Sequence, residues 1–147
     1  MTSGSDRIPA IRELVPHAGL MCLLEQVAGW DEAHVVATTR SHQRDDHPLR
    51  RNGRLSTVHL CEYGAQAMAV HGGLLAHRDG GRAAPGFLVS LREVWLAPGT
   101  IEQLPEPLEV IATRLTGDAS GWQYAFLVRH GGVRLAEGRA AVLLRRG

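Results

Sequence analysis

The chain has 147 residues, of which 44% are hydrophobic and 21% are charged. This length accommodates one domain with a sizeable core, and the composition excludes bulk disorder. Sixteen basic residues against fifteen acidic residues give a net charge of +1, which argues against broad nucleic-acid binding. Every basic residue is arginine, so chemistry that needs a lysine, such as a Schiff base or a phosphate-binding P-loop, is excluded.

The cysteine content and the N-terminal residues predict a cytoplasmic protein. Cys22 and Cys61 form neither a C-x-x-C pair nor a metal-binding spacing, which is typical of a reducing compartment. Residues 1–5 indicate a loose leader without the apolar segment of a secretion signal. No run approaches the 18 apolar residues that indicate a membrane helix. We therefore expect a single cytoplasmic domain over residues 1–147 that uses no metal or redox cofactor.

The first third of the chain predicts a short helical turn and two strands. The turn, over residues 10–15, is stopped by Pro16. Residues 25–30 predict a strand that ends at Asp31, and residues 34–41 predict its antiparallel partner. Residues 42–55 form a charged loop with Pro and Asn-Gly turn signals, and a loop of this length is usually functional or mobile.

A long helix is predicted from Ser56, a good N-cap residue, to about residue 77. Its buried face is predicted to be an apolar stripe in which residues recur at spacings of three and four. The stripe consists of Val58, Cys61, Ala65, Met68, Gly72 and Leu75. The small residues of this helix would let its backbone lie close against a sheet.

Four strands are predicted after the helix, over residues 87–97, 107–117, 122–130 and 133–145. Pro- or Gly-containing turns separate them and no helical pattern intervenes, which favours pairing as an antiparallel meander. The order β-β-α-β-β-β-β predicts an α+β fold in which one curved antiparallel sheet wraps around the long central helix.

A single carboxylate stands out in the predicted helix. Glu62 lies in the apolar, small-residue stretch "HLCEYGAQAMAVHGG", residues 59–73, where its desolvation would be costly unless it is paired, protonated or used. It lies about 100° around the helix from Cys61 and so flanks the stripe. Gln66 follows one turn later on the same flank, where it could orient the carboxyl group.

Three stretches of the chain resemble the β-hydroxyacyl-acyl-carrier-protein dehydratases, which have the hotdog fold. They are "LVPHAGLMCLLEQV", "VHLCEYGAQAM" and "GFLVSLREVWLAPG", in residues 14–27, 58–68 and 86–99. The resemblance is closer still to a dehydratase-like subfamily of bacterial aryl-polyene and related pigment clusters, through "HPLRRNGRL" and "EYGAQAMAVHG". It implies dehydration of a β-hydroxyacyl thioester to the trans-2-enoyl thioester in fatty-acid-like or aryl-polyene synthesis. It also implies a homodimer, or a heterodimer with a related subunit, and a substrate carried on acyl carrier protein or coenzyme A.

The resemblance assigns chemical roles to four positions. Glu62 is the expected general acid, and the backbone amide of Thr57 is the expected donor to the thioester oxyanion. A neutral histidine suits removal of the α-proton. The family's His-Phe-Pro-Gly motif is degraded here, because only "HP" remains at His47 and the Phe and Gly are missing. His17 and His47 therefore both stand as candidate bases.

Six further residues are candidates for binding the substrate or its carrier. By the resemblance, Gln66, Gly86 and Phe87 line the acyl site, with Phe87 at an aromatic position that gates the acyl tunnel; an ordinary core Phe is the alternative. The densest positive cluster consists of Arg50, Arg51 and Arg54. It could dock an acidic carrier protein or its phosphopantetheine phosphate, or it could simply be solvated.

Two other functions fit the same resemblance. Hotdog thioesterases can also use a helix carboxylate, in their case to activate water. The chain could instead be a non-catalytic subunit that supports a more typical dehydratase partner, since its histidine motif is degraded.

Overall fold

The computed structural model describes residues 8–15, 19–81 and 86–144, except for the side chains of residues 86, 87, 89 and 144. Its helices are α1 (Ile11–Leu14) and α2 (Leu60–Arg78), and its strands are β1 (Gln26–Trp30), β2 (His34–Thr39), β3 (Gly86–Leu96), β4 (Leu108–Asp118), β5 (Gly121–His130) and β6 (Val133–Leu144). Short 3-10 turns cover Gly19–Met21, Ser41–Gln43 and Thr57–His59. Each predicted helix and strand is thus confirmed to within a few residues. Within these described ranges, neither helix has the length and apolar content to cross a bilayer.

The six strands form one antiparallel sheet in the order β1-β2-β4-β5-β6-β3. Helix α2 packs against its central strands β2, β4, β5 and β6. The predicted meander is confirmed for β4, β5 and β6 but is wrong for β3, which pairs with β6 at the far edge of the sheet. As a result, β5 and β6 lie between β3 and β4, the strand that follows it in the chain.

The segment between β3 and β4 explains this placement. It lies against the start of α2, where the amide of Ile101 donates to the carbonyl of Leu55 and Thr100 forms a bridge with Ser56. The Thr57 hydroxyl also donates to the carbonyl of Ala97 at 2.6 Å. Because the connection makes these contacts, it is not a tight turn, and β3 can lie at the edge of the sheet while β4 lies near its centre.

The buried face of α2 differs from the predicted stripe. Met68 and Leu75 are buried as predicted, but Val58 is 50% exposed and Cys61, Ala65 and Gly72 are only half-buried. The fully buried apolar residues that face the sheet instead follow the same spacing two positions later. They are Leu60, Tyr63, Ala67, Val70 and Leu74. The helix is apolar on more than one side, so residue spacing alone fits two stripes and does not choose between them. Ser56 is confirmed as a cap, because its hydroxyl accepts from the amide of Val58.

The helix approaches the sheet most closely around Phe126 of β5. A Cβ atom placed on Gly64 would lie 2.6 Å from the Phe126 ring, and one on Gly138 of β6 would lie 2.8 Å from it. Phe126 itself is buried. The ring thus lies between Gly64 of the helix and Gly138 of the sheet, and this contact sets the distance between α2 and the sheet.

We predict that Gly64→Ala destabilises the protein, while Gly72→Ala does not. The first substitution forces a methyl group into the Phe126 ring and should cost about 1–3 kcal/mol of unfolding free energy. The second meets nothing within 4 Å and should gain up to about 1 kcal/mol from helix propensity. Urea unfolding of both variants gives the comparison, and equal stabilities would contradict the packing at Phe126.

Candidate active site

Glu62 lies in the first turn of α2, half-buried, on the side of the helix that does not face the sheet. A carboxylate at this end of a helix interacts favourably with the helix dipole. The contact expected with Gln66 is present, because the Gln66 amide Nε2 donates to Glu62 Oε2 at 3.2 Å. The carboxyl group therefore has one fixed donor from the turn that follows it.

Every hydrogen-bonding atom of the Gln66 side chain has a partner. Its Oε1 accepts from the amide of Leu23 at 2.9 Å, and its Nε2 donates to the carbonyl of Met21 at 2.7 Å as well as to Glu62. Exchanging the amide O and N would bring two donors together at Leu23 and two acceptors together at Met21, so the orientation of the amide is unambiguous. Gln66 is fully buried, and the substrate-binding role predicted for it stays a prediction.

The segment that holds Gln66 is itself anchored to the end of β2. The Leu23 carbonyl accepts two hydroxyl hydrogen bonds, from Thr39 at 2.6 Å and from Ser41 at 2.7 Å. Both hydroxyl residues are buried. Leu23 is therefore held from the helix side through its N–H and from the sheet side through its C=O.

Both ring nitrogens of His47 have hydrogen-bond partners within the chain. Its Nδ1 accepts from the amide of Leu49 at 3.1 Å, so the neutral ring carries its proton on Nε2, which donates to the Tyr63 hydroxyl at 2.9 Å. The ring is buried and stacked beside Tyr63. Both nitrogens are in use on the core side of α2, so the catalytic role predicted for His47 is not supported.

Burial shapes the ionisation of this pair. Removal from water, together with the smaller effects of the nearby Arg50 and Arg44, lowers the pKa of His47 to about 4. Removal from water likewise raises the pKa of Tyr63 to about 12. At neutral pH both groups are therefore uncharged, which matches a hydrogen bond between a neutral imidazole and a phenol.

His17, the other candidate base, lies outside the described residues. The described segments on either side of it both contact α2. Leu14 packs against Gly73, at 3.1 Å from where a Cβ would lie, and the Met21 carbonyl accepts from Gln66. The role of His17 stays a prediction.

The Thr57 amide is already engaged. It donates to the carbonyl of Gly99 at 3.2 Å, so it is not available for an oxyanion. The next three amides also have acceptors: Val58 donates to the Ser56 hydroxyl, His59 to the Ser56 carbonyl, and Leu60 to the Thr57 carbonyl. The oxyanion role predicted for Thr57 is therefore not supported.

The three clustered arginines separate into one partly buried residue and two exposed residues. The Arg50 side chain is 13% exposed and donates to the carbonyls of Gly53 and His42, so it braces the loop, and its docking role stays a prediction. Arg51 and Arg54 are exposed and pair across the turn formed by Asn52 and Gly53. Both turn residues have positive φ, as the Asn-Gly signal predicts for a two-residue hairpin turn.

The two remaining candidates lie at the start of β3. The backbones of Gly86 and Phe87 pair with Leu144 and Leu143 of β6. Their side-chain surroundings are outside the described part of the chain, so their role at the acyl site stays a prediction.

The residues that sequence reasoning missed are Ser41, Tyr63 and the backbone of Leu23. One signal was available, because a tyrosine in a buried helix position needs a partner for its hydroxyl. A second pair of the same kind lies further along α2. There His71 bonds the Tyr124 hydroxyl and the Asp31 carbonyl, each at 2.9 Å, so His71 is structural.

Comparison with known proteins gives one family and several structures. The ApeP-like family, described as ApeP dehydratase, matches residues 9–145. A chain of the dehydratase heterocomplex ApeI:P from Xenorhabdus doucetiae is 24% identical, with 95% of this chain and 93% of that chain covered and a TM-score of 0.84. A search of curated proteins found no match.

Two solved thioesterases share the architecture at lower identity. Zebra fish thioesterase superfamily member 2 is 16% identical, with coverage of 92% and 93% and a TM-score of 0.64. A hypothetical thioesterase from Streptococcus pneumoniae TIGR4, solved with coenzyme A, is 12% identical, with coverage of 82% and 84% and a TM-score of 0.60. At these identities the similarity concerns the fold, and it confirms the predicted hotdog architecture.

The neutral state of His47 predicts how stability depends on pH. Between pH 6.5 and 4 the unfolded chain binds a proton at this residue while the folded chain does not, so stability falls as the pH falls. The loss should reach about 3 kcal/mol of unfolding free energy near pH 4. His47→Gln should reduce this pH dependence in urea unfolding, whereas His77→Gln, at an exposed position, should not. Burial also lowers the pKa of His42 and His71, so only the difference between variants is informative.

Proposed function

The chain belongs to the ApeP-like dehydratases, whose family model spans residues 9–145, and from this premise we propose that it dehydrates a β-hydroxyacyl thioester to the trans-2-enoyl thioester. The proposed pathway is fatty-acid-like or aryl-polyene synthesis, with the acyl group on the phosphopantetheine of a carrier protein. One observation carries the assignment of the acid. Glu62 is a half-buried carboxyl group whose position is set by a fully buried amide, that of Gln66.

The chemistry requires a proton to leave Cα and a hydroxyl group to leave Cβ as water. In the proposed mechanism Glu62 donates its proton to the departing hydroxyl as the C–O bond breaks. A neutral histidine takes the Cα proton, and the electron pair of that bond forms the new double bond. His17 is proposed for this step, because both ring nitrogens of His47 already have partners in the core.

A thioesterase is the second candidate function. The observation that favours it is the shared fold with the zebra fish and Streptococcus pneumoniae thioesterases. In that reaction a carboxylate such as Glu62 would activate water, and the C–S bond would break to release a free thiol. The products therefore distinguish the two functions without ambiguity.

Strand β3 supports a partner subunit. It is an edge strand of eleven residues, and four of its described apolar side chains are between 38% and 46% exposed. These are Leu88, Leu91, Val94 and Trp95. A long, apolar edge strand is a strong pairing surface and is normally covered. We propose that a second hotdog subunit covers it, either a copy of this chain or, as in the Xenorhabdus doucetiae heterocomplex, a different subunit.

The exposed arginines Arg51 and Arg54 are proposed to dock the acidic carrier protein or its phosphopantetheine phosphate. They lie at the tip of a hairpin, where an approaching anion meets both side chains. The neighbouring cleft of about 540 Å³ is a poorer anion site, because the carboxylates of Asp45 and Glu102 balance the charges of Arg50 and Arg54 in its lining. The docking proposal therefore rests on the tip and not on the cleft.

Product analysis of Glu62→Gln tests the catalytic proposal. The purified protein, alone and with any hotdog subunit that co-purifies with it, is given a 3-hydroxyacyl thioester. The expected product is the enoyl thioester, and Glu62→Gln should lower kcat by about 100-fold or more. Glu106→Gln, at an exposed position, is the control and should be fully active. Free thiol as the product would identify a thioesterase, and activity that needs a partner and is unaffected by Glu62→Gln would identify a supporting subunit.

The docking proposal predicts a charge effect that depends on the carrier. Replacing Arg51 and Arg54 together by Ala should raise KM about tenfold for a carrier-protein substrate, and less at high salt. The same acyl group on N-acetylcysteamine should show no change. Replacing Arg12 and Arg78 together by Ala removes equal charge from other exposed positions and is the control. An equal KM increase in both double variants would count against docking at the hairpin.

A further inference from the structure

A series of buried hydrogen bonds begins at His47 and ends at the carbonyl of Leu23. The directions follow from the chemistry of each group. Ser41 must donate to the Leu23 carbonyl, so its oxygen accepts from the Tyr63 hydroxyl, which in turn accepts from His47 Nε2. The distances along this series are 2.9, 2.9 and 2.7 Å. Each donor and acceptor has one consistent assignment.

The same residue, Leu23, continues the series towards Glu62. Its N–H donates to Gln66 Oε1, and Gln66 Nε2 donates to Glu62. The Gln66 amide also donates to Met21, so both of its N–H bonds and its oxygen are committed. The two contacts with residues 21–23 therefore fix the orientation of the Gln66 amide, and with it the direction of the N–H bond that Gln66 donates to Glu62.

We infer that Ser41 and Tyr63 are positioning residues for Glu62, acting through the backbone of Leu23 and the amide of Gln66. This inference rests on the proposed function of Glu62 as the general acid. The series is not a proton relay, because it passes through a backbone amide that does not exchange its proton on the timescale of catalysis. Its effect is geometric, and reacting groups displaced by about 1 Å can lose up to roughly 100-fold in rate.

The contacts distinguish positioning from general packing. Ser41 and Tyr63 are both buried, and Tyr63 has no contact with Glu62 of its own among the hydrogen bonds of the described residues. The second buried pair has the opposite direction: His71 Nε2 donates to the carbonyl of Asp31, so His71 Nδ1 accepts from the Tyr124 hydroxyl at 2.9 Å. Tyr63 is therefore connected to the Glu62 carboxyl group through hydrogen bonds, whereas Tyr124, a second buried tyrosine bonded to a histidine, is not and serves as the control.

The experiment compares Tyr63→Phe, Ser41→Ala, Ser41→Thr and Tyr124→Phe in the assembly in which the protein purifies. Thermal midpoints are measured with kcat and KM for the N-acetylcysteamine thioester of a 3-hydroxyacyl group. Tyr63→Phe and Ser41→Ala should lower kcat about tenfold with KM little changed. Ser41→Thr keeps the hydroxyl and should restore most of the rate. Tyr124→Phe should lower the thermal midpoint to a similar extent but keep its kcat.

A double variant tests whether the effect passes through Glu62. If Ser41 acts only by placing this carboxyl, Ser41→Ala should cause no further loss of kcat in a Glu62→Gln background. An additional tenfold loss there would overturn the inference. Equal losses of kcat in Tyr63→Phe and Tyr124→Phe, or full activity of both Ser41→Ala and Tyr63→Phe, would also overturn it. Full activity of Glu62→Gln alone would instead overturn the proposed function. If Tyr63→Phe does not fold, the Ser41 variants decide the outcome.

Discussion

The arrangement of the candidate site depends on how one residue of an irregular segment is held. The Leu23 carbonyl accepts from Thr39 and Ser41, and its amide donates to Gln66. Thr39 is the last residue of β2, Ser41 begins the turn after it, and Gln66 belongs to α2. Leu23 therefore joins the sheet to the helix on the side of α2 where Glu62 lies. Without these bonds, two buried hydroxyl protons would lose their acceptor and the buried Gln66 oxygen its donor, at a cost of about 1–3 kcal/mol each.

Local patterns in the sequence were enough to predict much of this molecule. Each strand and the long helix follow from alternation, turn residues and the cap at Ser56. The Glu62–Gln66 contact also follows, because residues four apart meet on one side of a helix. The edge position of β3 was not predictable in this way, since residue patterns within a strand do not specify its neighbours. The buried side of α2 was misassigned because the helix is apolar nearly all round.

The remaining parts of the site depend on contacts between distant residues. Leu23 and Gln66 are 43 residues apart, Ser41 and Tyr63 are 22 apart, and Ser41 and Leu23 are 18 apart. No spacing rule relates such positions. His47 shows the same limit, because its motif resembles a catalytic one while its surroundings make it a neutral structural group. Motif similarity does not specify the direction in which an imidazole points.

The anchoring of Leu23 has a consequence for how this region moves. A segment without regular secondary structure usually opens locally, with little cost to the rest of the fold. Residues 21–23 instead share hydrogen bonds with both layers of the core, so separating them from α2 also breaks contacts at the end of β2. They therefore belong to the same cooperative unit as the sheet and the helix. The wall beside Glu62 is rigid on this side, and a substrate that needs room to enter must find it elsewhere.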